Sequence, residues 1–206
     1  MTISSTKLER VFDILSEREA VRLQCAQLHR PSPEQVFYSV RNSLRHRPDN
    51  RYSNILAYDR TAVTVDGRYI NANVVKDGKG GWWVAAQAPP PHAFDTFFRA
   101  LYTGSASGRA PKDAIVVQLT GWKERGVPKA DPYISAGVGR TGTFIALSSL
   151  RIRGMASHPS PLGPLPGELE ADHVAQTVDV IRECRGMMVQ NKEQLKLIYD
   201  MQQGMQ

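Results

Sequence analysis

Ser135-Ala136-Gly137-Val138-Gly139-Arg140-Thr141-Gly142 is the stretch whose reading decides the fold of this 206-residue chain. Three glycines and an arginine stand directly before an apolar run. Glycine lets consecutive backbone N–H groups converge on one point, and a helix start adds partial positive charge there. Arg140 offers a planar fork that matches two phosphate oxygens. The segment therefore reads as an oxyanion site at a strand-to-helix turn. A nucleoside-triphosphate loop would end in Gly-Lys-Ser/Thr. Gly137 and Gly142 have its spacing, but Thr143-Phe144 follow and the lysine is missing. A serine-hydrolase elbow needs glycine two residues before Ser135, where Tyr133 stands. The remaining alternative is a glycine-rich turn with no ligand.

Downstream of the loop, residues 143–153 are predicted helical. Residues 157–167 read as a flexible Pro/Gly-rich connector, and 172–188 and 192–201 as two closing helices. Val174, Val178 and Ile181 form the apolar stripe of the first closing helix. Upstream, 114–119 reads as a short buried strand. Residues 94–102 read as a helix with Phe94, Phe97, Phe98 and Leu101 at core spacing. Ala62-Val63-Thr64-Val65, then Asp66-Gly67, then 68–75 is a hairpin pattern, and 82–86 a further strand. Residues 5–28 form an amphipathic helix, with Val11, Ile14, Leu15 and Leu23 near one face. Pro31 and Pro33 end it, and 34–44 reads as a second, short helix. This order gives an α/β or α+β fold, with helices packed on one mixed sheet. An N-terminal helical segment, 1–34, precedes a domain over 35–206.

The chain is long enough for one domain with a substantial core. No apolar run approaches a signal-peptide core or a membrane span, so a soluble cytoplasmic protein without a membrane partner is expected. The net charge of +6 suits either nucleic acid or a phosphorylated, acidic peptide. Lys and Arg are scattered and aromatics do not interleave with them, which argues against nucleic acid. Cys25 and Cys184 lie far apart in helix-like stretches. Neither has metal-ligand spacing, and buried free thiols are expected rather than a disulfide. No metal or cofactor is implied.

Several separated segments resemble the protein tyrosine phosphatase family, in the family's order. Asn50-Arg51-Tyr52-Ser53-Asn54-Ile55-Leu56-Ala57-Tyr58-Asp59 resembles its phosphotyrosine-recognition loop. Tyr69-Ile70-Asn71-Ala72-Asn73 and Val84-Ala85-Ala86-Gln87-Ala88-Pro89 resemble the segments after it. Ile115-Val116-Val117-Gln118-Leu119-Thr120, with Glu124, Gly126, Lys129 and Tyr133, follows in register. Beyond the phosphate loop, Arg182, Arg185, Met188-Val189-Gln190 and Gln194 match the closing helices. The resemblance implies thiolate attack on phosphorus, with an aspartate protonating the leaving tyrosine and water releasing phosphate. It implies a phosphotyrosine-containing protein or peptide as partner. Residues 135–140 would bind the phosphate. Arg140 would clamp it, Thr141 would bond the thiolate, and Gln190 would position the hydrolytic water. Tyr52 would wall the pocket. Asn54 stands where the family usually has an aspartate that grips the substrate backbone.

The resemblance breaks immediately before the loop. The family has His-Cys there; this chain has Tyr133-Ile134. Lys129-Ala130-Asp131-Pro132-Tyr133-Ile134 fits a family segment found well upstream of the cysteine. Register holds up to Ile134 and again from Ser135, with strands, the acid loop and the nucleophile missing between them. Glu124 in a Trp122–Pro128 stretch only superficially resembles the acid loop. Ser135 lies one position late and has no nearby base. The chain is therefore expected to be catalytically inactive, its central sheet incomplete, and the apolar face of the 143–153 helix short of partners. It is either an internally shortened phosphatase, through an alternative transcript or a mistaken gene model, or a non-catalytic phosphotyrosine-binding pseudophosphatase. A basic nucleic-acid binder is the weaker alternative.

Overall fold

A computed structural model of the chain describes residues 3–28, 32–33, 35–103 and 136–204. The strand expected at 114–119, Glu124, and the junction residues Tyr133, Ile134 and Ser135 lie outside the described residues. Among those described, β1 (Ala62–Val65), β2 (Arg68–Lys76) and β3 (Trp82–Ala86) form an antiparallel meander. Asp66 and Gly67 both have positive φ, +49° and +75°, as a two-residue hairpin turn between twisted strands requires. Val65 pairs with Arg68, and Asn73 with Ala85.

Strand alternation gives β2 two different faces. Ile70 and Ala72 join Val63 and Val65 in a small cluster on one face. Val75 joins the main core on the other, and Asn71 and Asn73 lie buried between it and Tyr69. Two polar residues on an inward face need partners, and a single arginine provides them below.

The main core lies between this sheet and four helices. They are α1 (Ser5–Ala26), α4 (Gly139–Leu150), α5 (His173–Cys184) and α6 (Lys192–Gln203). Leu8, Val11 and Leu15 of α1 pack with Ile145 of α4, Val178 and Ile181 of α5 and Ile198 of α6. The 143–153 helix therefore does not lack partners, contrary to expectation, because α5 and α6 cover its apolar face. It also starts four residues early: the Val138 carbonyl accepts from Gly142 N (2.9 Å), which draws Gly139–Gly142 into the first turn.

Three further elements depart from their sequence reading. The second helix is split into a 3-10 turn, Gln35–Tyr38, and α2 (Arg41–Arg45). Asp59 divides them by accepting from Ser39 Oγ (2.5 Å) and from the amides of Arg41 and Asn42 (both 2.9 Å). In α3 (Phe94–Thr103), Phe94 and Phe98 are exposed rather than core. Ala100 meets the sheet, while Phe98 packs edge-on against Phe94 and Phe97. Finally, α5 stops at Cys184, because Arg185 is extended (φ −149°) and turns its side chain to the carbonyls of Ala136 and Gly137. Gly186 follows where a β-carbon would lie 2.8 Å from Tyr58 Oη and 3.0 Å from Glu19 Oε1.

The connector 157–167 carries its own hydrogen bonds. Arg18 donates to the carbonyls of Leu162, Gly163 and Pro164, and Ser160 Oγ donates to Glu183.

The β2–β3 turn grips the far end of α4. Buried Asp77 accepts from Lys79 N (2.8 Å), Gly81 N (2.9 Å) and Ser149 Oγ (2.8 Å). Lys79 Nζ donates to the carbonyls of Ser149 (2.5 Å) and Ile152 (3.2 Å), the favoured place for a cation at a helix C-terminus. Asp77→Ala would leave the Ser149 hydroxyl and two turn amides without acceptors. It is expected to destabilise the fold by about 2–3 kcal/mol in urea titrations. A loss below about 0.5 kcal/mol would show that water replaces the carboxylate.

Candidate functional site

The site is the turn that opens α4. Gly137 has φ +68°, a left-handed conformation, and its α-carbon abuts the backbone of Ala86 and Gln87 at the end of β3. Only glycine fits, since a β-carbon there would collide with the Ala86 carbonyl. Val138 occupies the N-cap and supplies no side-chain acceptor, unlike Ser4, Asp172 and Asn191, which cap α1, α5 and α6. The Val138 carbonyl also accepts from Val189 N (3.2 Å), which ties the loop to the segment after α5. Gly139 is equally confined. A β-carbon would sit 2.7 Å from Gln190 Oε1 and 2.8 Å from Gln194 Nε2. Arg140 and Thr141 are half-buried on the first turn, and Thr143 Oγ1 bonds back to the Gly139 carbonyl (3.0 Å).

Two buried arginines hold the loop and its neighbour from behind. Arg182 donates to the carbonyls of Met188 (2.8 Å), Val189 (2.8 Å) and Leu15 (2.7 Å). This fixes the chain where Met187 and Val189 both take positive φ, +62° and +60°. A β-branched residue there is strained, and the strain delivers Gln190 to the loop. Arg185 lies fully buried. It donates to the carbonyls of Gly137 (3.1 Å) and Ala136 (3.2 Å), and to Oδ1 of Asn73 (2.7 Å) and Asn71 (2.9 Å). Burial pushes its pKa down to about 10, which leaves it cationic at neutral pH.

The sequence-predicted residues converge in part. Ala136 to Thr141 form the loop and first turn, and Gln190 is exposed beside Gly139. Its backbone N donates to Gln194 Oε1 (2.8 Å). Tyr52 packs half-buried against the core, and its amide donates to Gln87 Oε1 (3.3 Å), the residue that follows Gly137's contact on β3. Asn54 is exposed beyond Tyr52. Ser135 and Ile134 lie outside the described residues. Both cysteines are free; Cys184 is buried, but Cys25 is only half-buried, short of the burial expected for it. Burial raises the Cys184 thiol pKa, so little of it is thiolate at neutral pH.

Asn71, Asn73 and Arg185 had no assigned role in the sequence reading. The available signal was periodicity. Two asparagines in phase with Val75 on an otherwise apolar strand require a buried polar partner.

Among the described residues no helix is long and apolar enough to cross a membrane, and no group of His, Cys, Asp or Glu is placed to hold a metal ion.

Comparison with known proteins agrees with this geometry. The model of the family described as protein-tyrosine phosphatase matches residues 46–135 and 133–203, two segments that meet at the junction before the loop. Tyrosine-protein phosphatase 3 of Schizosaccharomyces pombe is 37% identical over 90 residues, covering 41% of this chain and 28% of that protein. Receptor-type tyrosine-protein phosphatase F of Danio rerio is 30% identical over 141 residues, covering 64% of this chain and 7% of that protein. The chain thus spans less than a third of either relative. The catalytic domain of human protein tyrosine phosphatase non-receptor type 18 superposes with a TM-score of 0.61 at 18% identity, covering 98% of this chain and 96% of that one. Trypanosoma brucei protein tyrosine phosphatase TbPTP1 gives 0.59 at 21%, covering 98% and 94%. Together with the glycine-rich loop opening α4, the two matched segments place this chain in the protein-tyrosine phosphatase family.

Proposed function

We propose that the chain recognises phosphotyrosine in a partner protein and holds it without hydrolysing it. The observation that carries this reading is the loop itself. Gly137 and Gly139 bring its backbone to the uncapped start of α4, with Gln190 on one flank and the Tyr52–Gln87 contact on the other. An uncapped helix start favours a bound anion. Arg140 clamps the phosphate, residues 135–139 line it, Tyr52 walls the ring, and Asn54 contacts the peptide backbone. The similar non-receptor type 18 phosphatase has a structure in complex with HER2 phosphopeptides. Turnover is absent because Ile134 stands at the nucleophile's position, and burial raises the pKa of the Cys184 thiol rather than activating it. Thr141 and Gln190 keep their positions but have no thiolate or phosphoenzyme to serve. The reading places the protein in the cytoplasm, with no nucleic acid, membrane or cofactor partner.

Titration with a phosphotyrosine peptide tests it. Saturable binding is expected, and Arg140→Ala should weaken it at least about tenfold, since hydrogen bonds to charged groups contribute about 1.5–3 kcal/mol. Binding unchanged by Arg140→Ala would refute recognition through the loop. Hydrolysis of the peptide, lost in Arg140→Ala, would refute the absence of turnover.

The meeting of the two family segments at 133–135 favours a second reading, an internally shortened form of an active phosphatase. Sequencing transcripts across the Ile134/Ser135 junction tests it. A longer form should restore the cysteine and hydrolyse phosphotyrosine.

A further inference from the structure

We propose that Asp49, gripped by His46 and His92, is a positioning residue of the phosphotyrosine-recognition turn at residues 50–54, and that the grip loosens as pH rises. This deepens the reading of the chain as a phosphotyrosine binder and rests on it.

The first argument is geometric. Asp49 ends the 3-10 turn Arg47–Asp49, directly before Asn50-Arg51-Tyr52. Its Oδ2 meets His46 Nδ1 (3.3 Å), and its Oδ1 meets His92 Nε2 (2.9 Å). His92 lies 43 residues further on, in the 3-10 turn Pro91–Ala93 that leads into α3. One carboxylate thus joins the recognition turn to the segment after β3. Bonds from the turn to the same segment run alongside. Arg51 donates to the carbonyls of Ala88 (3.0 Å) and Pro89 (2.5 Å), and Tyr52 N to Gln87 Oε1. On the other side His46 stacks on Tyr69, with ring centroids 4.8 Å apart and planes 10° from parallel. Tyr69 Oη donates in turn to Asn50 Oδ1 (2.7 Å). The histidines therefore hold the turn from two sides.

The second argument is chemical. Histidine is the side chain whose ordinary change of charge falls between pH 5 and 8. A protonated imidazole meets Asp49 as an ion pair; a neutral one offers only a plain hydrogen bond. The grip is therefore fully present below that range and weakens as pH rises through it. The charged and titratable groups of the elements that meet here are Arg41 and Arg45 of α2, Arg47, Arg51, Asp59 before β1, Tyr69 of β2 and Asp95 of α3. Burial raises the Tyr69 pKa, so its hydroxyl stays neutral. The three gripping side chains are partly exposed, which keeps the expected effect to a few-fold.

The test is titration with a fluorescent phosphotyrosine peptide at about pH 5.5 and about pH 8, either side of the histidine range. The peptide's own phosphate ionisation, near pH 6, is common to all variants and cancels in the ratio of their Kd values. At the lower pH, Asp49→Asn should weaken binding about two- to fivefold, the scale of partly exposed ion pairs. At the higher pH its Kd should equal the wild-type value or fall below it. Charge alone predicts the opposite sign at the lower pH, since removing a carboxylate beside an anion site strengthens binding. In a His46→Gln/His92→Gln chain, adding Asp49→Asn should weaken binding no further. A merely structural role gives a ratio that does not change with pH. Asp49→Asn binding as well as the wild type at the lower pH, or weakened equally at both, overturns this proposal and leaves the recognition reading standing. If the wild type binds no phosphotyrosine peptide at either pH, the recognition reading fails and this proposal with it.

Discussion

Gly137→Ala is expected to destabilise the fold by about 2–5 kcal/mol and to abolish phosphotyrosine-peptide binding. Two costs add. The residue has φ +68°, and a left-handed conformation costs an ordinary L-residue about 1–2 kcal/mol. The new β-carbon would also collide with the Ala86 carbonyl, and overpacking of this kind costs about 1–3 kcal/mol. The obstacle is backbone, paired through Ala72 to the centre of the sheet, so no flexible side chain can give way. The loop must lift off β3, which pulls the Ala136 and Gly137 carbonyls from Arg185. Gly67→Ala provides the control. Gly67 also has positive φ, +75°, but open space around it, so its loss should be only about 1 kcal/mol. Urea titration of both variants separates clash from conformational strain. Equal losses would mean that the Gly137–Ala86 approach relaxes freely.

Arg22→Met is expected to cost about 3–5 kcal/mol, the usual penalty for removing one partner of a buried ion pair. Arg22 is fully buried in α1. It donates to Asp179 Oδ1 (2.5 Å), Glu183 Oε1 (2.6 Å) and Glu19 Oε2 (3.4 Å). Burial alone would lower its pKa, but Asp179, Glu183 and Glu19 outweigh it and raise the pKa instead. Without Arg22, the side-chain partners that Glu183 keeps among the described residues are neutral, Tyr38 Oη (2.7 Å) and Ser160 Oγ (2.9 Å). Asp179 keeps Arg18 (2.9 Å). A double variant, Arg22→Met with Glu183→Gln, should be less destabilised than the sum of the singles, because it removes a stranded charge. Additive losses would show that water reaches the carboxylate.

Much of the fold was legible because the governing signals are local. The Asp66-Gly67 turn needs only residues that accept positive φ, and β1 and β2 flank it as the alternation predicts. Ser4, Asp172 and Asn191 start their helices through bonds to amides two or three residues on. The aromatic face of α3 was misread because periodicity reports amphipathicity, not what covers the face. Phe94 and Phe98 have helical spacing and still face solvent. The stripe Leu8, Val11 and Leu15 in α1 continues into Glu19 and Arg22, where hydropathy ends the apolar face although burial does not. Nothing within α1 reveals that α5 offers Asp179 and Glu183 in return.

The sequence by itself determined the family of the chain, the glycines and arginine of its loop, and the Tyr133-Ile134 pair that stands before it. These are matters of residue identity and order, which a linear chain carries in full. Only the tertiary structure decided what stands behind the loop. Arg185 is 48 and 49 residues from the carbonyls it orients and 112 and 114 from the asparagines that hold it. Such a contact depends on where an extended residue after α5 meets the inward face of β2, and no local pattern encodes that meeting.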